Sequence, residues 1–330
     1  MKKIYPFICL TLLLPAIGFS QQNTANNNRL KFPILAVYYQ TYLVHGQTTF
    51  ALPTESFYKH ADIMHVWGGA FTVNKGNDTL NKPVDGATNV TWKKMIGEIK
   101  KVQRSGTKLI CPIFTNPGWN RGEPTFEDYD PGKPGNKYYD ANYKDKAPAE
   151  KIHDFVTHLR ERYITYLGID GLSIDAEARV RTAGDFYMAI VDSISKYWGP
   201  RSGSRRLLSI VSNNRYPEFE QVIKARSDSF DWVELMGYGG SFHATVAGNI
   251  ALFNEVAAIY PKEKILMGLY NDGANGKNDF ANTIDDALEL TNWEPDGGKK
   301  GGIMLFGSDD NADIEFTKKV IKDWEKKEKK

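Results

Sequence analysis

Residues 168–177 read Gly168-Ile169-Asp170-Gly171-Leu172-Ser173-Ile174-Asp175-Ala176-Glu177. After Asp170-Gly171, apolar and polar residues alternate. Successive side chains of a β-strand point to opposite faces. Leu172, Ile174 and Ala176 therefore share one face, and Ser173, Asp175 and Glu177 share the other. The apolar face suits packing under helices. The polar face suits the inside of a closed sheet, near the C-terminal end of the strand.

Seven further apolar or β-branched runs flank this one. They are Ile34–Tyr39, Ile63–Trp67, Lys108–Phe114, Leu207–Val211, Trp232–Met236, Ile265–Leu269 and Gly302–Phe306. Amphipathic stretches lie between several of them. In Trp92–Arg104 the apolar Trp92, Met95, Ile96, Ile99 and Val102 recur at helical spacing and Gly106 follows the end. The spacing also predicts helices over Ala149–Leu167, Ala183–Tyr197 and Asp313–Lys330. Eight strands alternating with helices predict a parallel sheet closed as a single (β/α)8 TIM barrel. A doubly wound sheet is disfavoured, because no Gly-rich phosphate turn follows the first strand. Residues 116–148, after the third strand, have no helical or strand period and are rich in Pro, Gly and aromatics. A long loop there would sit on the C-terminal face, where barrels build their sites.

Asp175 and Glu177 stand two residues apart on one face, about 5–7 Å apart at Cβ from the strand rise. Like charges that close raise the pKa of one partner. The expectation is a protonated Glu177 beside an ionised Asp175, the arrangement an acid catalyst of glycoside cleavage needs. The alternative is a solvent-facing D-x-E on an edge strand, which apolar flanks disfavour. Glu234 shares the inward parity of Met236 and Tyr238. It could touch a substrate or pair with a base. Trp119, Tyr138 and Tyr139 on the long loop are candidates for stacking on sugar rings.

The whole chain has 330 residues, 41% hydrophobic and 25% charged, an ordinary globular composition. Lys+Arg number 42 and Asp+Glu 40, a balance that points to no nucleic-acid partner. The N-terminal MKKIYPFICLTLLLPAIGFS has two Lys, then an apolar run ending in small residues. It is expected to be a signal peptide spanning 1–20, so the protein is expected to be secreted. Pro6 and Pro15 disfavour a membrane span. Residues 1–20 hold two Lys and no acid, so removing them leaves 40 basic residues against 40 acidic. Cys9 goes with them, leaving Cys111 alone and no internal disulfide. Residues 21–31 are Asn/Gln-rich and read as a flexible leader, with the barrel over 32–330. The six His show no metal-ligand spacing, so no metal and no cofactor are expected.

The pattern D-G-x-x-x-D-x-E at Asp170–Glu177 resembles glycoside hydrolase family 18. The family usually has Asp where this chain has Ser173, and the strand is more similar to the flavobacterial F-type endo-β-N-acetylglucosaminidase branch. Val233–Gly240 (VELMGYGG) is similar to the family's sixth strand, Lys264–Gly273 to its seventh and Gly301–Asn311 to its eighth, with Phe306 where chitinases carry Trp. The resemblance implies substrate-assisted cleavage, an exception to the two-carboxylate rule. Glu177 would be the acid and base, Asp175 would hold the acetamido N–H, and Tyr238 would bond the acetamido carbonyl. Ser173, Glu234 and Phe306 would contact substrate, and Asp170 would be structural. The implied partner is an N-glycan on a glycoprotein, met by a monomeric enzyme. A chitinase and a barrel that binds glycans without cutting them are the alternatives.

Overall fold

Each of the eight runs forms a strand, and the strands pair in chain order into a closed parallel barrel. The computed structural model describes residues 30–40, 58–67, 92–114, 147–177, 185–213, 217–238, 245–270, 282–306 and 313–328. The strands are β1 (Ile34–Gln40), β2 (Ile63–Trp67), β3 (Lys108–Phe114), β4 (Gly171–Asp175), β5 (Leu207–Ser212), β6 (Trp232–Leu235), β7 (Ile265–Tyr270) and β8 (Gly302–Phe306). The signal segment, nearly all of the leader and residues 116–146 of the long loop lie outside the described residues. Among those described, no helix is long and apolar enough to cross a membrane.

The alternation read from the sequence sorts the core into two layers. Leu35 and Val37 of β1 and Leu172, Ile174 and Ala176 of β4 pack outward under the helices. Ile34, Ala36 and Tyr38 turn inward, where they meet Ile63, Ile110, Leu207, Trp232, Leu266 and Met304. The lumen is thus filled with side chains, as in other barrels of this kind. Each fully buried aliphatic or aromatic side chain contributes roughly 1.5–3 kcal/mol.

The helices begin where local chemistry starts them. Pro148 opens Pro148–Leu159, and the Glu150 carboxylate accepts the Ala147 N–H at 2.9 Å. Thr245 and Thr283 cap Val246–Ala257 and Ile284–Asn292, each hydroxyl accepting an N–H at 3.1 Å. The continuous α-helix expected over Ala149–Leu167 is interrupted. From Arg160 to Tyr166 the backbone widens into a π-helix, and the Leu167 N–H reaches the Arg162 carbonyl five residues back. An apolar stripe alone does not reveal such a change of winding.

One device recurs at the N-terminal ends of the even strands. Asp62, Asp170 and Asp231 each precede a strand. Each sends its N–H to the carbonyl of a leucine on the strand before, Leu35, Leu109 or Leu208. Its carboxylate accepts that same leucine's N–H, at 2.8, 2.9 and 3.0 Å respectively. Before β8 the position is Gly301, and Gly302 adopts φ +143 with a Cβ position only 1.9 Å from the Ile34 carbonyl oxygen. The closing seam therefore has glycine at 301, where β2, β4 and β6 are preceded by aspartate, and requires glycine at 302.

Candidate functional site

β4 delivers Asp175 and Glu177 to the C-terminal mouth. Two bonds from β5 fix the strand end between them: the Ala176 N–H donates to the Val211 carbonyl at 3.0 Å, and the Ser212 hydroxyl donates to the Ala176 carbonyl at 2.9 Å. Asp175 is 7% exposed and Glu177 half-buried. Their side chains are hydrogen-bonded to each other. Burial pushes Asp175 well above the ordinary carboxylate range, and the charge of Glu177 and the bond to it push the same way. Burial also raises Glu177, against a lowering by its bond to Asp175. The sequence suggested that one carboxyl alone, Glu177, is shifted. Instead both rise, Asp175 more strongly, because it lies deeper in the lumen. Two such groups titrate as a unit.

β6 carries Tyr238 into the same mouth. The chain turns just before it, with the Gly237 N–H bonded to the Leu235 carbonyl at 2.9 Å. The Asn249 amide donates to the Gly237 carbonyl at 2.8 Å, and its oxygen lies 1.5 Å from where a Cβ on residue 237 would stand. Glycine at 237 and Asn249 on the following helix together set the height of Tyr238. The Tyr238 ring stacks flat on Phe306 at 5.4 Å and leans on Tyr270 at 5.4 Å. Burial first, then Glu177 and Asp175, hold its hydroxyl well above the usual phenol value, so it remains a donor at neutral pH.

The remaining candidates separate by depth. Phe306 is half-buried at the mouth. Ser173 is fully buried, beside Ser209 in the β4–β5 register, and not at the opening. Glu234, expected against substrate, is also fully buried. The Tyr38 hydroxyl donates to it at 2.9 Å, the Trp232 Nε1–H donates to it at 2.6 Å, and His65 Nε2 lies 2.8 Å away. These contacts pair Glu234 with side chains of three strands. Asp170 is at the opposite end of β4, where it accepts from the Leu109 N–H and the Gln103 amide and lies 3.9 Å from the Lys108 ammonium. Trp119, Tyr138 and Tyr139 lie outside the described residues. The sequence reading missed His65 and Tyr38 as partners of Glu234. Both face inward on their strands, which was the available signal.

Sequence comparison places this geometry in a lineage. The family model described as endo-β-N-acetylglucosaminidase EndoS TIM-barrel domain matches residues 99–305, well over half of the chain. The chain belongs to this family. The matched span holds β3 to β7 and β8 up to Leu305, with Asp175, Glu177, Glu234 and Tyr238, while Tyr38 and His65 precede it and Phe306 follows it. Endo-β-N-acetylglucosaminidase F2 of Elizabethkingia meningoseptica is 26% identical over 163 residues, 47% of this chain and 47% of the relative. The chain thus aligns with about half the length of that relative. Among solved structures, the endo-β-N-acetylglucosaminidase of Cordyceps militaris in apo form superposes with a TM-score of 0.60 at 18% identity, covering 89% of this chain and 92% of that one. A variant of that enzyme, with an Asp and a Glu two positions apart changed to Asn and Gln, is known in complex with fucosyl-N-acetylglucosamine-Asn (TM-score 0.59, 17% identity, the same coverage). A GH18 chitinase from Pseudoalteromonas aurantia superposes with a TM-score of 0.57 at 14% identity, covering 88% of this chain and 99% of that one. At such identities the structural likenesses carry the barrel itself.

Proposed function

We propose that this protein is a secreted, monomeric endo-β-N-acetylglucosaminidase that hydrolyses the GlcNAc-β-1,4-GlcNAc core bond of N-linked glycans. The observation that carries the reading is the buried Asp175–Glu177 pair at the end of β4 with the Tyr238 hydroxyl in the same mouth. The family membership, the F2 relative and the fungal enzyme's glycosylated-asparagine ligand support it.

The reaction is substrate-assisted. The acetamido oxygen of the sugar attacks its own anomeric carbon as the glycosidic C–O bond breaks, giving an oxazolinium ion. As Asp175 takes up the acetamido N–H, the proton the pair shares passes to Glu177, which gives it to the departing oxygen. Asp175 accepts a hydrogen bond from the acetamido N–H, and its charge stabilises the cationic ring. Tyr238 donates to the acetamido oxygen and aims it at the anomeric carbon. Water then opens the oxazolinium on the face the leaving group vacated. Its proton returns to Glu177, and the configuration at the anomeric carbon is retained. Phe306 presents an apolar floor to the sugar.

Mass spectrometry of a digested N-glycoprotein tests this. One GlcNAc left on each glycosylated Asn is the expected product. An untouched glycan, or a bare Asn, overturns it. Cleavage of chitooligosaccharides with no action on glycoproteins would instead indicate a chitinase.

A further inference from the structure

Glu234 is fully buried in the lumen, and both its oxygens are occupied. Oε2 accepts from Tyr38, while Oε1 faces His65 and accepts from Trp232. The donors come from three strands, and among the described residues its one ion-pair partner is His65. Depth alone would fit a cluster that merely holds the barrel together. Two geometric facts tie it to the mouth instead.

The first is the register. Val211 on β5 pairs with Asp175 on one side and with Glu234 on the other. The two acids thus stand at one level, two strand spacings apart, roughly 10 Å at the backbone, and both point inward. The second is a chain of rings. Tyr38, held by Glu234 and stacked on His65 at 4.1 Å, meets Phe306 edge-on at 5.8 Å, and Phe306 lies flat against Tyr238.

We propose that Glu234 is a positioning residue for the reaction. Clamped by Tyr38, His65 and Trp232, it holds its carboxyl group level with the Asp175–Glu177 pair and sets the aromatic floor on which Tyr238 rests. The titratable groups around it are Tyr38 of β1, His65 of β2, Asp175 of β4 with Glu177 just beyond that strand, and Tyr238 just beyond β6, with Tyr270 of β7 farther off. Burial and then Glu177 are the larger influences on Asp175; Glu234 acts on it in the same direction. The consequence is that the pair keeps its one proton to higher pH than it would beside a neutral residue.

This inference rests on the proposed activity, and the pH profile of kcat/KM on an N-glycopeptide tests it. Wild type is measured first. In E234Q, which removes the charge and keeps the shape, the basic limb is expected to move down by about one pH unit. Y38F keeps the charge and loosens the floor, so the limb should stay while KM rises severalfold. A limb in E234Q that superimposes on wild type overturns the proposal. If E234Q does not fold, E234D decides. Charge on a shorter arm should keep the limb and lose about fivefold or more in kcat/KM, and a wild-type kcat/KM overturns the proposal. A wild type inert on the glycopeptide defeats the functional reading alone. The Asp175 carboxyl is then titrated by carbon-13 NMR in wild type and E234Q, where a downward shift in the variant supports the proposal and identical curves overturn it.

Discussion

At the N-terminal end of the barrel, Asp62, Asp170 and Asp231 accept hydrogen bonds from backbone amides. At the C-terminal end, Asp175 and Glu177 are bonded to one another. An amide partner donates its hydrogen bond without itself titrating. A carboxyl partner forces the pair to share a proton in a buried place. The first arrangement stabilises the fold, whereas the second costs stability and leaves a proton ready for transfer. Position along the strand thus separates acids that hold the barrel from acids that can work in it.

Glu177→Gln should give the largest effect. Its kcat is expected to fall about 10²–10⁴-fold, with glycan binding and melting temperature kept; an active variant would merge the two ends of the comparison. Asp231→Ala is the counterpart at the other end. It leaves the Leu208 N–H without its acceptor, so denaturant unfolding should show a loss of about 1–3 kcal/mol, while the folded enzyme keeps its kcat. Asp175→Asn sharpens the contrast through pH. Folding raises this carboxyl, so the native state binds the proton more tightly than the unfolded chain. Wild-type stability therefore falls as pH climbs from the ordinary carboxylate range through the raised value. The Asn variant, inactive, should melt above wild type at pH 8 and level with it near pH 4. Ser212→Ala is the mildest change. Losing the bond to the Ala176 carbonyl should cost about 0.5–1.5 kcal/mol and lower kcat a few-fold, with a pH profile like that of wild type.

Period-two alternation made the barrel legible, because a closed parallel sheet needs one apolar face under helices and a second set of residues filling the lumen. The eight strands start and stop within a residue of the runs that announced them. The Asp175–Glu177 pair was legible for the same reason, since parity alone puts both side chains on the inner face. Parity gives direction and not depth. Ser173 and Glu234 share the inward face with their neighbours yet lie below the opening. Two of the three partners of Glu234, Tyr38 and His65, come from β1 and β2, about 170 residues and more away in the chain, and no local pattern links them to it. Asp62 and Asp231 went unread, because a ladder-end aspartate has no signature apart from the strand it touches. The π-helical winding at Arg160–Tyr166 keeps enough of an apolar stripe to pass for the α-helix before it.

The aspartates that precede the even strands have a consequence for exchange with solvent. Leu35, Leu109 and Leu208 each have their N–H and their carbonyl tied to a single aspartate. The amide is freed only when a side-chain bond and the strand contact beside it part together. Fraying of a strand end does not suffice. In deuterium uptake these three amides should belong to the slowest class and report the opening of the whole ring.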